Sequence, residues 1–262
     1  MALDLANAVA VVTGAGSGIG RACAHAFARR GARVVVTDID EERAKTVAAE
    51  IGDVAMSLRC DVTRIEDLEA ARAAAIDCFG HVDLIHNNVG VLAVGPVEAI
   101  PLEAWDRVVD INLMSVVRSL SVFLPGLLAQ GSGHIVNTAS TAGLFPYGYD
   151  RLPYTATKHA IVGLSESLAV YLRPKGIGVS CFCPAGVRTN IIEHITFYGD
   201  QRQPPRAPNF GVIDADLAGE LVAEGVAAGR FLILTTQEPA VELRERGNDI
   251  EAYLERVIRD YT

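Results

Sequence analysis

Tyr154 and Lys158 stand four residues apart in the run Y-T-A-T-K-H-A-I-V-G-L-S-E-S-L-A-V-Y-L. The pattern predicts a helix, so a phenol and an ammonium project from one face. A phenol titrates near pH ~10 and is a poor base at neutrality, but a fixed cation beside it favours the phenolate. Such a pair makes tyrosine a usable proton carrier. Ser140 closes the strand-like run H-I-V-N-T-A, where a hydroxyl can face a substrate oxygen without competing with helix hydrogen bonds. Tyr-x-x-x-Lys alone is a weak signature, and Tyr171 and Lys175 form a second copy. That copy straddles Pro174, which should end the helix, and has no strand-end serine upstream at the same distance. Tyr147 and Tyr198 are each followed four residues later by an arginine, Arg151 and Arg202, which cannot shuttle protons and lies in an apparent loop. Any one of these tyrosines is most simply a packed aromatic with a satisfied hydroxyl. The rest of the chain singles out Tyr154.

A second constellation lies near the N-terminus. The apolar run Ala8 to Thr13 leads into G-A-G-S-G-I-G and then into a helical pattern that ends at Gly31. Gly14, Gly16, Gly18 and Gly20, with Ser17 and Ile19 between them, allow a tight strand-to-helix turn. Its backbone N–H groups can approach a pyrophosphate closely. No Lys-Ser or Lys-Thr follows, so the spacing does not match a nucleoside triphosphate loop. The next strand ends in Asp38, where a carboxylate meets an adenosine ribose and repels a 2'-phosphate. Neither Ile39 nor Ser17 supplies a cation, so NAD is favoured over NADP. Asp38 could also cap the helix that starts in D-E-E-R, and the two roles can coexist.

Elements to position these groups recur along the chain. Strand-like runs follow at R-V-V-V-T, V-A-M-S-L-R, V-D-L-I-H, G-H-I-V-N-T, G-V-S-C-F-C and R-F-L-I-L-T, with helical patterns between most of them. Continuous apolar strands imply burial on both faces, hence an α/β fold of the doubly wound type: a parallel sheet with helices on both faces. With 262 residues, half of them hydrophobic, and no low-complexity linker, the chain reads as a single domain over 1–262. A net charge of -9 argues against a nucleic-acid partner. The N-terminus lacks a basic segment followed by an apolar run, and no uninterrupted apolar stretch reaches bilayer-spanning length, so a cytoplasmic protein without membrane contact is expected. The five cysteines include no C-x-x-C, and Cys181 and Cys183 alternate along a strand, as buried reduced thiols would. The six histidines show no ligand spacing, so no metal is expected.

Taken together, T-G-A-G-S-G-I-G, C-D-V at Cys60 to Val62, N-N-V-G at Asn87 to Gly90, Asn112, Ser140, Y-T-A-T-K and P-A-G-V-R-T at Pro184 to Thr189 resemble the short-chain dehydrogenase/reductase family over about the whole chain. Val89 and Ala185 depart from the family's usual alanine and glycine, both small apolar changes. The resemblance implies a Rossmann-type domain using NAD to interconvert a secondary alcohol and a ketone. It places Asp61 at the adenine amino group with Val62 beside it, Asn88 and Gly90 along the adenosine ribose, and Val187 and Thr189 near the nicotinamide carboxamide. Asn112 would be a helix-interior amide that holds a relay water. Tyr154 would take the alcohol proton while Ser140 orients the same oxygen. Lys158 would hold the nicotinamide ribose hydroxyls and keep the phenol acidic.

The same resemblance makes Asn190 to Ile213 a substrate lid. Ile191, Ile192, Ile195, Phe197, Tyr198 and Phe210 could face Leu92, Leu144, Phe145 and Tyr147 in an apolar pocket, suiting a bulky hydrophobic alcohol or ketone. Some of these residues could equally dock the lid on the core. Arg202 and Arg206 read as solvated loop rather than as a site for an acidic tail. The resemblance further implies subunit contacts through the helices around Leu102 to Leu128 and Tyr154 to Leu172, hence a homotetramer, with a dimer as the fallback. Two other readings compete: an NADPH-dependent carbonyl reductase, opposed by Asp38, and a non-catalytic NAD-binding sensor, opposed by the intact set Asn112, Ser140, Tyr154 and Lys158.

Overall fold

Strand β1 (Val9–Thr13) is buried along its whole length, and alternate residues feed two separate cores. Ala10 and Val12 pack with Val34, Phe27 and Val222, while Val9 and Val11 pack with Val35, Leu68 and Leu127. A strand apolar on both faces has to be covered on both. The computed structural model describes residues 1–146, 148–200 and 210–261, without the side chains of Ile192 and Tyr261. Seven strands form the main sheet: β1, β2 (Arg33–Asp38), β3 (Ala55–Arg59), β4 (Leu84–Asn87), β5 (Gly133–Thr138), β6 (Ile177–Cys183) and β7 (Leu232–Leu234). Their order is β7-β6-β5-β4-β1-β2-β3 with every pairing parallel, and Val11 lies opposite Val35 on one side and Ile85 on the other. All seven expected strands are present, in the Rossmann-type doubly wound arrangement.

Helices α1 (Gly18–Arg29), α2 (Glu41–Ile51) and α7 (Ala215–Ala227) cover one face. On the other lie α3 (Ile65–Phe79), α5 (Ser115–Gln130) and α6 (Leu152–Leu172). The winding reverses between β1 and β4, and a crevice opens there at the carboxyl ends of the strands, where open α/β sheets bind ligands.

Between β4 and β5 the chain forms one helical run of 29 residues from Leu102 to Gln130: α4 (Leu102–Val109), a π-helical turn over Asp110–Met114, and α5. Arg107, Asp110 and Arg118 interrupt its apolar pattern in the sequence, so no unbroken stretch is visible there. As a helix, however, it is long and apolar enough to cross a bilayer by length and composition. In the fold its Val116, Phe123 and Leu127 are buried in the cores.

Two short parallel pairings bring the expected lid to the crevice: Leu92–Val94 with Ile195–Phe197, and Gly186–Arg188 with Val212–Asp214. The lid's Arg202 and Arg206, and Tyr147 opposite it, lie outside the described residues. After β7 come α8 (Glu238–Asn248) and α9 (Ile250–Tyr261), the latter burying Tyr253 and Val257 in the core that holds Leu144 and Phe145.

Candidate active site

Pro153 sits in the first turn of α6, where its missing N–H costs nothing, and Tyr154 and Lys158 follow one turn apart on the same face. Lys158 is only 2% exposed. Its Nζ donates to the carbonyl oxygen of Thr138 at the end of β5 (2.8 Å) and lies 5.5 Å from the centre of the Tyr154 ring. Burial pushes its pKa down to about 8, with the Cys181 and Cys183 thiols pulling the other way, so the ammonium still carries its charge at neutral pH. Ser140 lies two residues beyond the end of β5, in extended backbone leading into the short turn Thr141–Gly143. Its Oγ accepts from the Ala142 N–H (3.1 Å), leaving the hydroxyl hydrogen for a substrate oxygen.

Asn112 is fully buried within the π-helical turn. Its Oδ1 accepts from Val91 N (2.8 Å), and its Nδ2 donates to Val91 O (3.0 Å) and Thr157 Oγ1 (3.3 Å). Both the oxygen and the nitrogen of the side-chain amide are thus bonded to protein groups. It clamps the chain after β4 onto α6. Gly90 fills the gap that results: a Cβ there would come 3.4 Å from Lys158 Nζ and 3.7 Å from Asn112 Oδ1.

At the other end of the crevice, Asp38 closes β2 and accepts from Gly16 N through Oδ2 (2.9 Å) and from Asp40 N through Oδ1 (3.0 Å). A Cβ on Gly16 would lie 2.8 Å from that Oδ2, so the turn can approach Asp38 only because the residue is glycine. The cap of α2 falls to Asp40 rather than Asp38: Asp40 Oδ1 accepts from Glu42 N and Arg43 N. Asp61 accepts from Thr63 N (3.0 Å) and Thr63 Oγ1 (2.7 Å). Burial alone would raise its carboxyl, but these bonds, with Arg59 and Arg64, hold it below the usual carboxylate range. Asn88 Nδ2 donates to the carbonyls of Thr13 (3.2 Å) and Gly14 (3.3 Å), tying β4 to the glycine turn.

A crevice of about 600 Å³ joins the two ends. Of the residues that the sequence singled out, Gly14, Ser17, Gly18, Ile19, Asp38, Asp61, Val62, Asn88, Gly90, Ser140, Tyr154, Lys158, Val187 and Thr189 line it. Of the remaining predicted residues, Gly16 lines an adjoining cavity of about 440 Å³, Gly20 lies buried in α1, and Asn112 is packed behind Gly90. A cleft with backbone N–H groups at a helix start, a carboxylate at the end of β2 and a buried ammonium beyond it fits a dinucleotide. Among the described residues no three His, Cys, Asp or Glu side chains are grouped to hold a metal.

The short chain dehydrogenase family profile matches residues 8–196. The chain belongs to this family. It is 40% identical over 191 residues to a cyclohexanol dehydrogenase of Acinetobacter sp. (strain SE19), covering 71% of this chain and 75% of the relative. It is 34% identical over 254 residues to the 1-deoxy-11-beta-hydroxypentalenate dehydrogenase of Streptomyces exfoliatus, covering 95% and 90%. Among solved structures, a short chain dehydrogenase/reductase from Burkholderia phymatum in complex with NAD superposes with a TM-score of 0.85 at 34% identity, covering 95% of this chain and 96% of that one.

Several residues that shape this short-chain dehydrogenase's site were not visible in the sequence. His86 Nε2 bonds Thr138 Oγ1 (2.8 Å), and Thr138 Oγ1 reaches Asn88 Oδ1 (3.5 Å). With the imidazole proton on Nε2, the hydroxyl proton goes to Asn88, and the ring nitrogen left without a partner is the acceptor Nδ1. Burial, which lowers the His86 pKa to about 3, keeps the ring neutral. Arg43 lines the crevice beside Asp38, but its guanidinium is bonded to Glu193 (3.0 Å) and paired with Asp40 (3.4 Å). The expected apolar wall is only partly there. Leu92 and Ile191 line the crevice, whereas Phe145 is 0% exposed and stacks edge-on against Phe210 (5.4 Å), and Leu144 is buried with it. These side chains dock the lid on the core; Arg107, Arg151 and His194 face the crevice instead. The second tyrosine–lysine pair does fall at the end of α6, and Lys175 Nζ lies over the Tyr171 ring at 4.0 Å on the surface.

Proposed function

We propose that this chain is an NAD(H)-dependent oxidoreductase that interconverts a hydrophobic secondary alcohol and its ketone, with Tyr154 as the group that takes and returns the hydroxyl proton. The observation that carries this reading is the buried Lys158 ammonium, 5.5 Å from the Tyr154 ring, in a crevice that also contains Asp38. When bound along that crevice, NAD supplies a hydride acceptor at its nicotinamide. Gly14, Ser17, Gly18 and Ile19 hold its pyrophosphate, Asp38 its ribose, Asp61 and Val62 its adenine. Asn88 and Gly90 lie along its adenosine side, Val187 and Thr189 at its carboxamide. Lys158 holds the second ribose and stabilises the phenolate of Tyr154, which accepts the alcohol proton as the carbinol hydrogen leaves with its electron pair. Ser140 donates to the reacting oxygen throughout. Asn112 is a positioning residue that fixes Gly90 and Val91 against α6.

Asp38 spends both carboxylate oxygens on backbone N–H groups, so its charge is anchored where a 2'-phosphate would have to sit. Arg43, the cation that lines the crevice beside Asp38, is occupied by Glu193 and Asp40. Both points favour NAD over the NADPH-dependent carbonyl reductase. A ring alcohol suits the apolar Leu92, Val91 and Ile111 beside the site, and cyclohexanol names the substrate of one relative. Exposed Val117 and Leu128 on α5 and Val170 and Tyr171 on α6 support a homotetramer assembled through these helices. The test is nicotinamide reduction over a panel of cyclic and open-chain secondary alcohols, with NAD and NADP in parallel. Turnover of ring alcohols with NAD is expected. Turnover with NADP alone would reverse the cofactor assignment, and none with either would leave the sensor reading.

A further inference from the structure

The crevice is unevenly charged. Around the end of β2 and the segment after β3 it is lined by Asp38, Asp40 and Asp61, with Arg43 already paired. Around Tyr154 and the lid it is lined by Arg107, Arg151 and His194, and by no carboxylate among the described residues. Arg151 is balanced by the buried Asp150, whose carboxylate it meets at 2.8 Å. Arg107 differs. The only polar contact of its side chain among the described residues is a long 3.5 Å bond from Nη1 to Thr196 Oγ1 on the lid strand, and no carboxylate lies within ion-pair reach.

We propose that Arg107 is the specificity residue for a carboxylate on the substrate, so that the preferred substrate is a ring-bearing secondary alcohol with one carboxylate away from the carbinol. The inference rests on the alcohol-dehydrogenase reading above and adds the substrate's charge. The guanidinium fork matches a carboxylate through two parallel N–H donors, with the Thr196 hydroxyl as a third. Ile111 lies one helical turn along the same helix run, and Leu92 lines the same crevice, so the body between carbinol and carboxylate is apolar. One guanidinium without a counter-charge answers one negative charge, which favours a monocarboxylate over a dianionic phosphate ester.

The test uses a hydroxycyclohexanecarboxylate, its neutral methyl ester and cyclohexanol, each assayed with NAD for wild type, Arg107→Met and Arg107→Lys. Wild type should favour the acid over the ester on the order of tenfold to a hundredfold in kcat/KM, mostly through KM, since hydrogen bonds to charged groups are the strong ones. Arg107→Met should bring that ratio toward one, and Arg107→Lys should restore part of it. Turnover of ester and cyclohexanol without any acid preference in wild type would overturn the inference while leaving the dehydrogenase reading intact. A loss on acid and ester alike in Arg107→Met would also overturn it. No turnover of any of the three would instead count against the dehydrogenase reading.

Discussion

Replacing Lys158 with methionine separates what the ammonium does for chemistry from what it costs the fold. Burial lowers the Lys158 pKa from its ordinary 10.5 to about 8. The difference corresponds to about 3 kcal/mol of preference for the neutral amine at about 1.4 kcal/mol per pH unit. The sign follows from proton counting. Between about 8 and 10.5 the unfolded chain holds a proton on this lysine that the native chain lacks, so native stability rises with pH across that window. The contribution is complete above 10.5 and is lost as pH falls through about 8. Methionine has similar length and no charge to desolvate, at the cost of leaving the Thr138 carbonyl without its donor. Urea unfolding of both proteins at several pH values from 7 to 10.5 should therefore show wild type gaining on Lys158→Met by up to about 3 kcal/mol across the window, while the variant loses turnover by on the order of 10²-fold or more. A pH-independent stability difference would refute the claim that a charged lysine is buried here. Near-normal turnover in the variant would refute its role beside Tyr154.

Other outcomes follow from the same contacts. Asp38→Ala removes the charge that faces the ribose, so the ratio of NAD to NADP affinity should fall by tenfold or more; titration of both cofactors checks it, and an unchanged ratio would show that selectivity lies elsewhere. Asn112→Ala leaves the buried Val91 N–H and carbonyl without partners, costing about 2–4 kcal/mol and lowering the melting temperature by several degrees. Because Gly90 and Val91 then lose their anchor, activity below the melting transition should fall as well, which a purely structural role would not require.

Much of the fold was legible because buried parallel strands are written as short unbroken apolar runs, and each of the seven runs became a strand of the main sheet. The glycine turn was legible for a related reason: few residue types tolerate the close approach between Gly16 and Asp38. What the sequence concealed depends on where side chains end up rather than on what they are. Asp38 and Asp40 are both plausible caps two residues apart, and only the backbone path gave the cap to Asp40. Phe145 and Phe210 look like pocket residues by type, yet the α9 helix draws them into a core, because its amphipathic face needs something to bury against. Arg43, Arg107 and His86 come from three different elements, and no local spacing relates them to Tyr154. Asn112, in the π-helical turn, bonds Val91, twenty-one residues away in sequence, a partner that no helical periodicity could announce.

The central claim is that the Tyr154 phenol, beside a buried ammonium, handles the substrate proton in a crevice that holds NAD. Its most direct test is Tyr154→Phe, measured for NAD affinity by fluorescence titration and for alcohol oxidation in the same preparation. The variant should bind NAD within about twofold of wild type and lose turnover by about 10³-fold. Turnover within tenfold of wild type, on any alcohol the wild type oxidises, would contradict it.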